Sequence, residues 1–224
     1  MKRIVSRQEK INKSYKSLAA RYDTMLAANN WWSALLCRII WGFPDTVYTK
    51  RLLDWIPDDF DGKLLDIPVG TGLFTANKYA LMKKADITCV DYSLDMMQIA
   101  LTRFQSNGIG NVAIRHGDVG NLNFPDGMFD IVLSMNGFHV FPDKESAFNE
   151  TCRVLKRGGL FVGCFYIENE SKRTDWFIKH FYVPKGFFTP PFLTSGELEK
   201  KLSSRYTKNR IWNIGSIACF RCVK

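Results

Sequence analysis

No stretch of this 224-residue chain is apolar for long enough to cross a bilayer. The most apolar run, Trp31 to Phe43, is broken by Arg38 and falls short of the roughly 20 residues that a spanning helix needs. A basic cluster near the start (Lys2, Arg3, Arg7, Lys10, Lys13, Lys16 and Arg21) is followed by no continuous apolar run, so no secretory leader is expected. A disulfide framework is missing as well. The six cysteines, Cys37, Cys89, Cys152, Cys164, Cys219 and Cys222, are scattered through apolar stretches, as reduced core thiols are. Cys219 and Cys222 have a Cys-x-x-Cys spacing, but residues three apart on a strand point to opposite faces, which argues against a metal or redox pair. These absences predict a cytoplasmic protein with no metal site and no transmembrane segment. Internal repeats and low-complexity segments are lacking too.

What is present is a composition of 46% apolar and 14% aromatic residues, enough for one sizeable core with an appendage. The formal charge of +9 suits phosphate neutralisation, but its excess lies at the two ends, where a solvated basic helix face accounts for it equally well. Residues 1–60 read as helical, with Trp32, Leu35, Leu36, Ile39, Ile40 and Phe43 spaced on one face and Pro44 and Pro57 as punctuation. From Lys63 onward short apolar runs alternate with helical stretches, the pattern of βα units and a mostly parallel sheet. Strands are expected at Lys63–Ile67, Asp86–Asp91, Val112–His116, Phe129–Met135, Leu160–Ile167, Thr207–Trp212 and Ser216–Val223. Helices are expected near Leu73–Met82, Leu94–Ser106, Lys144–Leu155 and Asp175–Tyr182, with a capped helix from Ser195. The short Asn213–Gly215 link makes the last two strands a hairpin. The expected architecture is α/β: a doubly wound, seven-stranded, mostly parallel sheet with an antiparallel C-terminal hairpin over residues 61–224, and an N-terminal helical cap over 1–60.

Chemistry concentrates where strands end. Asp66-Ile67-Pro68-Val69-Gly70-Thr71-Gly72 is a strand running into a glycine-containing turn and then a helix, where the backbone can pass close to a ligand. Asp91, after the second strand, is placed to accept both ribose hydroxyls of an adenosine. Asp118, after the third, sits at the same carboxyl edge, where open α/β sheets bind their ligands. Each acid alone could be a helix cap or a turn residue. Their recurrence at three successive strand ends points to a nucleoside site.

With these residues in view, the chain resembles the class I S-adenosylmethionine (SAM)-dependent methyltransferase family, within it the small-molecule branch that includes quinone-biosynthesis methyltransferases. The resemblance covers about Lys63 to Lys224. Phe129-Asp130-Ile131-Val132-Leu133-Ser134-Met135-Asn136-Gly137-Phe138-His139 looks like the family's fourth strand and following loop. Arg153-Val154-Leu155-Lys156-Arg157-Gly158-Gly159-Leu160 looks like the turn into its fifth strand, and Tyr22-Asp23 is similar to a Tyr-Asp pair that precedes the core. The resemblance implies a Rossmann-like core with SAM as cofactor. Asp66 and the Gly70–Gly72 loop would hold the methionine part, Asp91 the ribose, and Asp118 with Val119 the adenine. Tyr92 and Met96 would pack on the adenosine, Met135 and Asn136 would lie beneath the methyl, and Ile67, Pro68, Thr71 and Ser93 complete the candidate set. One departure is plain: Pro68 stands where the family's Asp-x-Gly-x-Gly-x-Gly loop has its first glycine, removing an N–H and fixing a dihedral.

The expected reaction is methyl transfer to a small, largely apolar acceptor, with Tyr22 and His139 as candidate catalytic side chains. His139 either takes the acceptor's proton or hydrogen-bonds a backbone group and shapes the pocket. Trp31, Trp32, Trp176, His180 and Phe188 are candidate acceptor contacts, the last three in an aromatic, Pro-rich insert near 171–192 that reads as a lid. Two other activities fit less well. Adenine-N6 nucleic-acid methyltransferases carry Asn/Asp-Pro-Pro-aromatic directly after the fourth strand; here Ser134-Met135-Asn136-Gly137 stands there, and Pro190-Pro191-Phe192 falls far downstream. An NAD(P)-dependent oxidoreductase would need Gly-x-Gly-x-x-Gly, a spacing this loop lacks. A non-enzymatic role, with the Trp31–Phe43 helix on a membrane or partner, requires that helix to expose its apolar face.

Overall fold

Seven of the apolar runs pair side by side into one sheet of order β3-β2-β1-β4-β5-β7-β6. A computed structural model describes residues 46–224, so the expectations on Tyr22, Trp31, Trp32, Cys37 and most of the N-terminal cap lie outside the described residues. The strands are β1 Lys63–Asp66, β2 Asp86–Asp91, β3 Val112–His116, β4 Phe129–Met135, β5 Leu155–Tyr166, β6 Lys208–Ile214 and β7 Ile217–Val223. The helices are α1 Thr46–Leu53, α2 Ala76–Leu81, α3 Leu94–Ser106, α4 Lys144–Val154, α5 Lys172–Phe177 and α6 Ser195–Ser203, with a π-helical turn, Ile178–Tyr182, continuing α5. Strands β1 to β5 pair in parallel. β7 is antiparallel to both β5 and β6, so β6 runs with the main sheet.

Alternate residues of the central strands feed two separate cores. Leu64, Ile87, Cys89, Leu133 and Val162 belong to one cluster, covered by Tyr48 and Leu52 of α1, Tyr79 of α2 and Phe104 of α3. Leu65, Val90, Val132, Phe161 and Phe220 belong to the other, covered by Phe148 of α4 and by Leu198 and Leu202 of α6. Burial on both faces explains why β1 reads as consecutive leucines rather than as an alternation. Cys219 lies in the first cluster and Cys222 in the second, so the Cys-x-x-Cys pair faces opposite ways. Burial pushes both thiols up to about 12, far from thiolate reactivity.

Several element ends differ from expectation, each for a local reason. α2 begins at Ala76 rather than Leu73, with Thr75 as its N-cap, after the loop that carries the positive-φ Gly70 and Gly72. β5 begins at Leu155 rather than Leu160: Leu155 pairs with Phe129 across a register shift that admits the Gly158-Gly159 turn. The insert is one α-helical turn and a half followed by the π-helical turn, starting at the Ser171 cap rather than near Asp175. The final link shrinks to Gly215-Ser216, with Gly215 at φ 52°, the positive value that a two-residue hairpin turn needs at its first position. The cap expected before Ser195 is a full capping box between Thr194 and Glu197.

At the sheet centre β5 passes so close to its neighbours that only glycine fits at 163: a Cβ there would lie 2.4 Å from Phe220 Cζ and 2.8 Å from the Ser134 carbonyl oxygen. Gly163→Ala is expected to overpack this point and cost about 1–3 kcal/mol, lowering Tm by several degrees in a thermal melt. An unchanged Tm would show that the two cores yield there.

Candidate functional site

The carboxyl ends of β1, β2, β3 and β4 open onto one cleft, the position at which a doubly wound sheet leaves room for a ligand. Its floor is the loop after β1. Ile67 N–H donates to the Leu133 carbonyl at 2.9 Å and Val69 N–H to that of Val90 at 3.0 Å, so the loop leaves the sheet still tied to both neighbouring strands. Pro68 therefore removes one donor without loosening the turn. Its Cδ lies 2.3 Å from where a Cβ would sit on Gly137, so the ring packs directly on the backbone of the loop after β4. On the far side Arg103 of α3 holds the Thr71 carbonyl at 2.8 Å.

Asp91 fastens this loop to the end of β2. Its Oδ2 accepts from Gly70 N–H and its Oδ1 from Ser93 N–H, both at 2.8 Å, and the residue lines the cleft. Ser93 caps α3 by accepting from Met96 N–H. Asp66, 1% exposed, accepts from Tyr79 Oη at 2.8 Å. Burial, reinforced by the negative charge of Asp91, pushes its carboxyl up to about 7, while burial also raises Asp91. Two acids held this way form a seat that a cationic ligand group relieves. Asp118 is braced by Gly120 N–H at 2.9 Å and faces the same cleft.

Of the residues expected around a cofactor, Asp66, Ile67, Pro68, Gly70, Thr71, Asp91, Tyr92, Ser93, Met96, Asp118, Val119, Met135 and Asn136 all line the cleft, which measures about 1050 Å³ counted out to solvent. Gly72 does not. It turns away beneath the loop, where Phe104 fills the space a side chain would take. Leu73, Phe74 and Thr75 on the loop and Val140, Phe141 and Pro142 after β4 also line the cleft and were not singled out from sequence. The apolar character of Phe138 to Pro142 is the signal for this wall in the sequence.

His139 is not in the cleft lining. Its ring is buried against Phe188, stacked at 4.0 Å between centroids, and its Nδ1 accepts the Tyr166 N–H at 3.2 Å. Of the two roles expected for it, this contact matches the backbone hydrogen bond. Burial and the nearby Lys144 ammonium push it down to about 3, so the ring is neutral at physiological pH. Trp176 and His180 do not line the cleft either. They stack on each other at 4.7 Å on the outer side of the insert, with Trp176 56% exposed, while Phe188 is buried. No group of His, Cys, Asp and Glu able to hold a metal occurs among the described residues.

Residues 65–163 match the family model described as a methyltransferase domain. That segment is a methyltransferase domain. The chain is 30% identical over 145 residues to an uncharacterized chloroplast methyltransferase of Arabidopsis thaliana, covering 62% of this chain and 41% of that protein. It is 30% identical over 158 residues to a demethylmenaquinone methyltransferase of Staphylococcus epidermidis, covering 70% of this chain and 60% of the relative. The chain thus spans 41% to 60% of the length of these two relatives. A solved SAM-dependent methyltransferase of Thermotoga maritima shares the fold, with a TM-score of 0.70 at 19% identity over 96% of this chain and 99% of that one. The methyltransferase domain holds the cleft floor, all three acids and the loop after β4.

Two titrations in this domain act on stability with opposite sign. His139 stays neutral in the fold down to about 3, whereas the unfolded chain takes up its proton near 6.5, so its contribution is lost as pH falls from 6.5 toward 3. Asp66 has the raised value of about 7, so its contribution is complete below about 4, the unfolded carboxyl value, and is lost as pH rises through 7. In a Tm-against-pH series, His139→Gln is expected to flatten the acid limb and Asp66→Asn the limb from 4 to 7. Slopes identical to the parent's would contradict both assignments.

Proposed function

We propose that this chain transfers the methyl group of SAM to a small, largely apolar organic acceptor. The observation that carries the reading is the convergence of Asp66, Asp91 and Asp118 from three strand ends on one cleft whose remaining walls are mostly apolar. SAM is cationic at its methionine end and at sulfur, and the Asp66 and Asp91 pair supplies the negative seat. Asp91 takes the ribose hydroxyls, Asp118 and the Val119 backbone take the adenine, and Tyr92 and Met96 pack on the rings. The sulfonium methyl then faces Met135, Asn136 and Phe141. Methyl transfer is an in-line displacement whose sulfur leaves neutral, so holding the acceptor against the methyl supplies much of the rate. His139 contributes by pinning the loop after β4 to β5 rather than by taking a proton.

Support for an apolar organic acceptor comes from the apolar wall Val140–Pro142 and from relatives named for demethylmenaquinone. Residues 1–60, with Tyr22, Trp31 and Trp32, and the insert 171–192 serve as the acceptor's cover over a core of 61–224. The insert is attached to the cleft wall, since Thr189 N–H donates to the His139 carbonyl at 2.9 Å. A reducing, cytoplasmic setting agrees with the free, mostly buried thiols Cys89, Cys152, Cys164, Cys219 and Cys222. Among the described residues no helix is long and apolar enough to cross a membrane.

Asp91→Ala is expected to weaken SAM binding by about 1.5–3 kcal/mol, roughly 10- to 150-fold by calorimetry, because it removes charged hydrogen bonds. Incubation with methyl-labelled SAM and a cell extract is expected to place label in the organic-soluble small-molecule fraction, with His139→Gln retaining the parent's pH profile. Label in RNA or protein would overturn the acceptor class.

A further inference from the structure

The insert has an outer face that the cleft does not use. Along Lys172–Tyr182 the inward residues are Thr174, Asp175 and Ile178, all buried, and Asp175 is held there by the Tyr166 hydroxyl at 2.7 Å. The outward residues are Lys172, Arg173, Trp176, Lys179 and His180, a spacing that forms one stripe along a helix. Phe181 and Lys185 extend it. Within Lys172–Tyr182 the single acid, Asp175, is turned inward, so this span presents cations and rings, with the exposed Glu170 just before it. Trp176 is 56% and Phe181 42% exposed, and both are braced by stacking, Trp176 on His180 and Phe181 on Phe177 at 4.8 Å. Lys179 reaches Glu168 at 3.4 Å, with the lysine 54% and the glutamate 24% exposed, so an anion competes for the lysine from the solvent side.

We propose that this face docks on a bilayer surface rich in anionic lipid headgroups, with Trp176 and Phe181 entering the interfacial layer and Lys172, Arg173, Lys179 and Lys185 pairing with lipid phosphates. Exposed indole and phenyl rings flanked by lysine and arginine are the composition that settles at the headgroup level, where the rings leave water and the cations meet the negative surface potential. Charge decides against a second copy of the chain as the occupant, because apposing two such faces would bring four cations against four. The face is also coupled to the cleft. Lys144 Nζ donates to the Thr189 carbonyl of the insert at 2.7 Å and to that of Phe141, a cleft-lining residue, at 3.1 Å. Resting on the reading of an apolar acceptor, docking here would let that acceptor pass from the acyl phase to the cleft without crossing water.

Co-sedimentation of the full chain with phosphatidylglycerol/phosphatidylcholine vesicles, and with phosphatidylcholine vesicles alone, tests this. Binding to the anionic vesicles is expected, weaker by about tenfold or more in Trp176→Ser/Phe181→Ser and in Lys172→Glu/Lys179→Glu, and weak to phosphatidylcholine. SAM titration of both variants is expected to match the parent, which certifies their fold. The proposal is overturned if the parent ignores anionic vesicles, if both variants bind them as the parent does, or if the parent takes up RNA in preference to vesicles. Because sedimentation uses neither SAM nor acceptor, loss of SAM binding in the parent would sink the methyl-transfer reading and leave this one standing.

Discussion

One carboxylate holds the cleft in shape. Asp91 ends β2 yet receives hydrogen bonds from Gly70 and Ser93, so the turn after β1 and the start of α3 are fixed to each other through a single side chain. Hydrogen bonds to a charged acceptor are stronger than neutral ones, and here they draw the positive-φ backbone of Gly70 into place. The arrangement has an electrostatic cost, since Asp66 is buried close by and the charge of Asp91 opposes its ionisation. A bound cation removes that cost. The same constraint that orders the loop therefore suits it to a positively charged ligand.

The rest of the site follows from how closely β1 and β4 approach. Pro68 fits because residue 137 is glycine, and Asn136 just before it has a φ of 56°, a left-handed value that asparagine tolerates better than most side chains. This reversal directs Val140, Phe141 and Pro142 into the cleft and sends His139 the other way, onto Phe188 and the end of β5. The insert is fastened to the same loop through Thr189 and Lys144, which ties it to the cleft wall.

Much of this was legible in sequence because burial on both sheet faces leaves dense apolar runs, and β2, β3, β4 and α3 have the bounds their residues imply. The acids at three strand ends were legible for the same reason, since strand ends fix where their neighbours fall. Side-chain direction beyond a strand end was not. His139 looked like a base because its type and position fit one, but direction there depends on the backbone at Asn136, which no periodicity reports. Trp176 looked like a pocket wall because aromatic residues usually turn inward; the bond between Asp175 and Tyr166 rotates that helix so that the acid is buried and the indole exposed. Gly72 shares the spacing and loop of Gly70, but its neighbour is Phe104.

The central claim is that the three acids frame a site for one adenosine-bearing cation. Calorimetric titration of the parent chain with SAM, and separately with NADH, addresses it most directly. One SAM per chain with saturable binding, and no heat from NADH, is the predicted result; NADH binding as tight as SAM, or no SAM binding, would contradict it.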